Sequence, residues 1–280
     1  MADDDNNDRP SKKTKTDNID NVTPLSGLDG VAFGDDADNN ANNGVNPNTV
    51  NSKFQKQNQP VIVLLDQASL ETVKSKRGIY ELLNCDDHRD LCKKKLHKDP
   101  NLFRPDILHQ ELLALLDSPL NKAGLLKIYI HTTKNVLIEI HPSIRIPRTY
   151  KRFAGLMVQL LHKLKIKAGN TSSTTLLKVV KNPFSSHLPP GTRCYGFSCE
   201  GTLYSPIRLA KQMVSPTPST TEEDDIPPTC LVIGAMSTGH VTINDHPYIE
   251  KMYSVSSYPL SGAAAASRII TGIEHYWGIV

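Results

Sequence analysis

One long stretch of this chain has no acidic residue: Ile140 to Cys199 holds ten Lys and Arg and not one Asp or Glu. A solvated face usually mixes signs, so sixty residues of one sign point to a polyanionic partner. No apolar run approaches the length of a membrane span. The acidic start, Met1-Ala2-Asp3-Asp4-Asp5, lacks the basic and apolar regions of a signal peptide. Cysteine is scarce and odd in number. Cys85, Cys92, Cys194, Cys199 and Cys230 form no C-x-x-C pair, which argues against a disulfide framework and for a reducing compartment. Cys85, His88, Cys92 and His97 follow a spacing that matches no common zinc finger or knuckle, so no metal is expected there. A dinucleotide G-x-G-x-x-G fingerprint and a Walker lysine are also missing.

What is present fits a globular protein. With 280 residues, 38% hydrophobic and 22% charged, the chain has enough apolar content for one or two cores. The net charge of +3 conceals an asymmetry, since residues 1–59 hold ten Asp against six Lys and Arg. That balance of −4 leaves +7 on the remainder. Residues 1–58 are rich in Asn, Asp, Gly and Pro, and such a composition cannot offset the cost of ordering the backbone. They are expected to form a disordered acidic tail, with the folded domain at 59–280. Arg9-Pro10-Ser11-Lys12-Lys13-Thr14-Lys15 reads equally as a nuclear-import signal or as part of a solubilising tail.

Order is expected after Pro60. Val61-Ile62-Val63-Leu64-Leu65-Asp66 reads as a central buried strand ending in a carboxylate, followed by helical periodicity through Leu70, Val73, Ile79, Leu82 and Leu83. A helix is predicted from Ile107 to Asp117, and a hairpin from Leu126–Ile130 and Val136–Ile140. Pro147 is expected to open the next helix, with Phe153, Leu156, Met157, Leu160, Leu161 and Leu164 as its core stripe. Arg148 and Arg152 then lie one turn apart, with Arg145 just ahead. Cations at a helix N-terminus oppose the dipole, and an anion held there would reverse that cost. Leu176 to Val180 is a second short strand, ended by Asn182-Pro183. Ala266, Ile269, Ile270, Ile273, Tyr276 and Trp277 form a closing helical stripe.

The stretch from Cys230 to Ser267 organises the rest. The apolar run Cys230-Leu231-Val232-Ile233 suits a strand buried on both faces. Gly234 and Gly239 follow it and permit close backbone approach to a ligand. Tyr253-Ser254-Val255-Ser256-Ser257-Tyr258-Pro259-Leu260-Ser261 then runs into a helix at the alanines. Two loops opening at the ends of neighbouring strands form either a cofactor pocket or ordinary strand-turn connections.

These residues resemble the ribosome-biogenesis SPOUT methyltransferases that methylate N1 of a pseudouridine in small-subunit rRNA, the nucleolar essential protein or essential for mitotic growth family. The matching segments run in order through residues 60–280: Asn84 to His88, Arg104 to Ile107, Leu116 to Gly124, Arg145 to Leu164, Leu176 to Pro183, Gly234 to Gly239 and Ser256 to Ser261. The resemblance implies an α/β fold, mostly parallel, with a deep C-terminal trefoil knot and a β-hairpin/helix extension. It implies a homodimer that binds S-adenosyl-L-methionine in the knot loops, here Leu176, Leu177, Val180, Gly234, Gly239, Val255, Ser256, Ser257, Tyr258, Pro259 and Leu260. Arg104, Arg145, Arg148 and Arg152 would contact rRNA, with Arg104 also a catalytic candidate and Asp106 either proton acceptor or helix cap. Thr238 replaces a basic residue of the family pattern, and Ser257 a frequent asparagine. Small-subunit rRNA and pre-ribosomal assembly factors are the implied partners, in the nucleus and nucleolus, without metal or membrane. The alternative is a non-catalytic RNA-binding assembly factor.

Overall fold

The structure, a computed structural model, describes residues 59–75, 78–169, 173–215 and 226–280. The expected tail at 1–58 and most of the acidic, proline-rich stretch at 215–229, which by composition is expected to be an exposed loop, lie outside the described residues. Ten strands are present among them. They are β1 (Val61–Ala68), β2 (Thr72–Lys74), β3 (Tyr80–Leu82), β4 (Leu126–Thr132), β5 (Leu137–Ile140), β6 (Lys165–Lys167), β7 (Thr175–Val180), β8 (Arg193–Leu203), β9 (Thr229–Gly234) and β10 (Lys251–Ser254). Eight of these form one sheet in the order β10-β8-β9-β1-β4-β5-β7-β6. The pairs from β10 to β4 are parallel and those from β4 to β6 antiparallel. The fold is α/β with a mostly parallel sheet.

Among the described residues, five α-helices of four or more residues accompany it: α1 (Pro105–Leu116), α2 (Pro119–Lys122), α3 (Tyr150–Lys163), α4 (Pro206–Val214) and α5 (Gly262–Trp277). β1 is central because its residues are apolar on both sides. Val61, Val63 and Leu65 join the main core with Leu108, Leu112 and Ile269 of the helices, while Ile62 and Leu64 face Tyr129, Phe184 and Val241. Full burial of each such side chain stabilises by about 1.5–3 kcal/mol. The expected hairpin is β4-β5, paired Ile128 with Ile140 and Ile130 with Ile138. Among the described residues no helix is long and apolar enough to cross a membrane.

Three expectations change. The segment after β1 is an antiparallel hairpin, β2-β3, turned at Gly78 (φ 79°), and not a helix. Helix α3 starts at Tyr150 rather than Pro147, with Thr149 extended ahead of it. The Pro147 carbonyl accepts a bond from His109 Nε2 at 2.7 Å and so does not begin the helical ladder. Arg148 therefore precedes the helix that carries Arg152. Finally, the closing helix, expected at or near a homodimer interface through its Ile269, Ile273 and Trp277 stripe, buries these side chains in the core of this chain, where α5 packs on α1 and α4. Tyr276 stands outside that stripe, exposed.

Candidate cofactor cleft and nucleic-acid interface

The C-terminal ends of β8, β9 and β10 open into a cleft of about 210 Å³. Its geometry begins with an irregularity in β8. Phe197 still pairs with Ile233 of β9, but β10 skips from Gly196 to Thr202 in pairing with β8. Phe197, Ser198 and Cys199 therefore swing out and form one wall. At Gly201 the strands approach so closely that a Cβ would overlap the Tyr253 backbone. The opposite wall is Gly234, Met236, Gly239, His240 and Val241, with Gly239 at φ +87°, a conformation that favours glycine. The third side comprises Val255, Ser256, Tyr258, Pro259, Leu260, Gly262 and Ala265. Ser261 caps α5 there, its Oγ accepting from the Ala264 amide at 3.3 Å. Among the described residues no Lys or Arg lines the cleft.

Of the residues expected at a cofactor, Gly234, Gly239, Val255, Ser256, Tyr258, Pro259 and Leu260 converge here. Ser257 belongs to the same loop but is exposed and does not line the wall. Leu176, Leu177 and Val180 do not join them. They sit on β7, four strand positions from β9, or about 19 Å across the sheet. Leu177 is core, and the place expected for this strand is taken by Phe197 to Cys199 of β8. The glycines at 196 and 201 were the available signal for that excursion, since glycine inside a strand marks a bulge or a close backbone approach.

Beside the cleft lies a buried polar cluster that the sequence did not reveal. Asp66, 1% exposed at the end of β1, accepts from His131 Nδ1 at 2.7 Å and from His246 Nε2 at 2.8 Å. Burial alone would raise its pKa, but the two histidines reverse the sign and hold it at about 2. His131 Nε2 reaches Asn135 Oδ1 at 3.0 Å, which also accepts from Asn182 Nδ2. The bond to Asp66 raises the His131 pKa and so favours the imidazolium, which can donate from both ring nitrogens. The Tyr248 hydroxyl lies 2.8 Å from His246 Nδ1. The cluster fastens the 241–249 loop, which backs the cleft, to the middle of the sheet.

The arginines divide into two groups. Arg104 precedes α1 and makes a bidentate pair with Asp106 at 2.8 and 2.7 Å. That bond lowers the Asp106 pKa, so Asp106 stays ionised and is a poor proton acceptor. It caps no helix through the N-cap position either, since Arg104 occupies that position. Its role is to orient Arg104. The Ser237 hydroxyl donates to the Asn101 carbonyl at 2.6 Å, which joins the cleft loop to the segment leading into Arg104. Arg145, Arg148 and Arg152 are exposed, the first two on the segment ahead of α3 and the third in its first turn, and His109 of α1 holds that segment through the Pro147 carbonyl. Arg148 pairs with Asp117 at 3.2 Å across an exposed surface, an interaction of small worth.

The Cys85–His97 segment has a structural explanation. Cys92 packs against Leu83 and Phe103, and His88 reaches Glu81 Oε2 at 3.2 Å. Asn84 Oδ1 accepts from the amides of Asp86 and Asp87 at 3.0 and 2.8 Å, which sets the turn. Among the described residues no three His, Cys, Asp or Glu are gathered to hold a metal.

Parallel strands whose ends open into a backbone-lined cleft place the protein among open α/β folds that bind a ligand at their strand termini. Comparison with known proteins narrows the class. The chain belongs to the EMG1/NEP1 methyltransferase family, whose model matches residues 63–274. It is 49% identical over 220 residues to the human ribosomal RNA small subunit methyltransferase NEP1, covering 79% of this chain and 83% of that one. Its counterpart in Drosophila melanogaster is 48% identical over 220 residues with the same coverage. Among solved structures, Archaeoglobus fulgidus Nep1 bound to S-adenosylhomocysteine shares the fold, with a TM-score of 0.61 at 24% identity over 78% of this chain and 98% of that one.

Proposed function

We propose that the cleft binds S-adenosyl-L-methionine and that the protein methylates N1 of a pseudouridine in small-subunit rRNA. The cleft itself carries this reading: a chain of a methyltransferase family places its glycines and its Val255–Leu260 loop around one backbone-lined hollow. The lining fits the group. Phe197, Ile233, Val241 and Leu260 give apolar surface for an adenosine, and the absence of Lys and Arg suits a cationic sulfonium without phosphates. The cofactor, when bound, supplies an electrophilic methyl.

The chain's own residues then orient and hold. Arg104, kept in place by Asp106 and joined to the cleft through Asn101 and Ser237, is set to face the base. A guanidinium there stabilises negative charge on the pyrimidine as its N1 proton leaves to water. Arg145, Arg148 and Arg152 engage phosphates of a loop whose target base is unpaired, because a stacked and paired ring cannot reach the cleft. Most of the rate is assigned to positioning.

Three further parts belong to this reading. β10 lies beyond β8 while β9 lies on its other side, and such a crossing is consistent with a deep trefoil knot. Tyr258 and Leu260 of the cleft wall are exposed, Tyr258 by 78%, as are Leu203 at the end of β8 and Ile207 of α4, and this exposed apolar surface is the one we assign to a homodimer. Residues 59–280 form the catalytic domain and 1–58 a solvent tail, in a nucleolar protein that works among pre-ribosomal assembly factors. Calorimetry with S-adenosylmethionine tests the cofactor, and methylation of a pseudouridine-bearing hairpin against its uridine twin tests the substrate. A wild type that binds RNA but no cofactor would mean an assembly factor without catalysis.

A further inference from the structure

Glu111 is a buried carboxylate with no part in the chemistry above. It lies in the second turn of α1, is 0% exposed, and neither carboxyl oxygen has a hydrogen-bond partner. Its side chain abuts Gly262 so closely that a Cβ on that glycine would overlap the carboxyl, and the Gly234 carbonyl is 3.3 Å from the same point. Gly262 and Gly234 both line the cleft. Only the backbone of two glycines therefore separates this carboxyl from the ligand space, at the N-terminus of the sixteen-residue helix α5.

We propose that Glu111 senses the charge in the cleft and makes the site prefer the sulfonium cofactor over its neutral thioether product. This rests on the cofactor reading above. Methyl transfer converts a ligand of net charge +1 into one of net charge zero, and the product keeps the same adenosine and amino-acid ends. Discrimination between them must come from a group that responds to that single charge. In the free protein Glu111 is protonated at neutral pH, since burial alone raises its pKa to about 8. A cation beyond the glycine wall favours the carboxylate, so its binding expels the proton to solvent. After transfer the cation is gone, the carboxylate regains a proton, and the product is held less tightly.

Among the described residues the cleft wall itself also holds His240, which pairs with Glu200 at 3.1 Å, and Cys199, Tyr253 and Tyr258, none of them hydrogen-bonded to Glu111. On β1, Asp66 is held by His131 and His246. On α1 itself, Asp106 is tied to Arg104, and His109 to the Pro147 carbonyl. Glu274 of α5 accepts from the Leu120 amide. Lys122 of α2, Lys151 and Arg152 of α3, and Arg268 and His275 of α5 are exposed, while the half-buried Tyr150 of α3 leaves the carboxyl's titration to burial alone.

The experiment is calorimetric titration of the full chain with S-adenosylmethionine and with S-adenosylhomocysteine at pH 7.5, in buffers of different ionisation enthalpy. Each titration is repeated on Glu111→Gln. Wild type is expected to release more protons with the sulfonium than with the thioether, and the glutamine variant to lose the part that comes from Glu111. The ligand's own amine titrates equally against both proteins, so the difference isolates the carboxyl. The preference for the sulfonium should fall about tenfold in the variant at high pH for each unit by which binding lowers the Glu111 pKa. Should the glutamine variant not fold, Glu111→Ser enters the same comparison. Equal proton release by wild type and variant overturns the charge sensor and leaves the cofactor reading standing. Failure of both ligands to bind wild type overturns the cofactor reading, and the sensor with it.

Discussion

The two halves of the sheet solve opposite problems. The parallel half, from β10 to β4, ends in a cleft built from glycine backbone and apolar side chains, with no Lys or Arg in its wall. The antiparallel half, β5-β7-β6, flanks the arginine segment in the chain and carries Lys165, Lys167 and Lys178 on its strands. One region recognises by shape, where a single added carbon is prohibitive. The other works by charge, where single residues are nearly interchangeable. Mutations should therefore act all-or-none in the first region and additively in the second.

The largest expected effect is at Gly239. Gly239→Val places a β-branched residue at φ +87° and a side chain into the cleft, and should weaken S-adenosylmethionine binding more than about 100-fold. RNA affinity, measured on the same preparation, should stay within about twofold. Comparable losses of both would end the separation of the two regions.

Next comes the carboxylate that links them. Asp66→Asn removes the buried carboxylate shared by half-buried His131 and buried His246, and should destabilise by about 1–3 kcal/mol in denaturant melts. Its pH signature has a definite sign. The folded pKa of about 2 lies below the ordinary 3.8, so this stability is present above about pH 4 and lost as pH falls towards 2. That acid limb should be flatter in the variant. Glu111 has the opposite sign. Its folded pKa of about 8 lies above the ordinary 4.5, so its stabilising proton is lost as pH rises through that window. Glu111→Gln should remove up to about 1.4 kcal/mol of decline per pH unit there, read from melts between pH 5 and pH 8.

Smaller still is the charge surface. Arg148→Ala with Arg152→Ala should flatten the log-log salt dependence of RNA binding by about 1.4, at about 0.7 for each phosphate no longer neutralised. Cofactor affinity should not move. An unaltered slope would return these arginines to the status of a solvated face. The least effect is expected from deleting residues 1–58, whose composition offers no core: the Tm should shift by no more than a few degrees.

Much of the fold was legible because burial on both faces has a plain signature. Val61 to Leu65 and Cys230 to Ile233 are uninterrupted apolar runs, and both became central parallel strands. The β4-β5 hairpin showed through alternation. The β2-β3 hairpin did not, because two three-residue strands offer too few positions to separate a period of two from one of 3.6. At the site, glycines and the Tyr258-Pro259-Leu260 run marked two sides of the cleft. Its third side, Phe197 to Cys199, was not expected, and Leu176–Val180 lies on β7 away from the cleft, since a strand's place in the sheet is decided by long-range pairing and leaves no local mark. Asp66 showed as a carboxylate at a strand end, but its partners His131 and His246 did not, lying 65 and 180 residues away.

The central position of β1 has a consequence for how the chain is made. Ile62 pairs with Lys127 on one side and with Cys230 on the other. The strand is thus synthesised first and covered last, and its second neighbour arrives 168 residues later. At about 5–20 residues per second, that interval is roughly ten to thirty seconds on the ribosome. Throughout it, an apolar strand with one unpaired edge is exposed to every other nascent chain nearby. Such a chain is a demanding client of the translation machinery, and its yield should depend on chaperones that shield Val61 to Leu65 until β9 emerges.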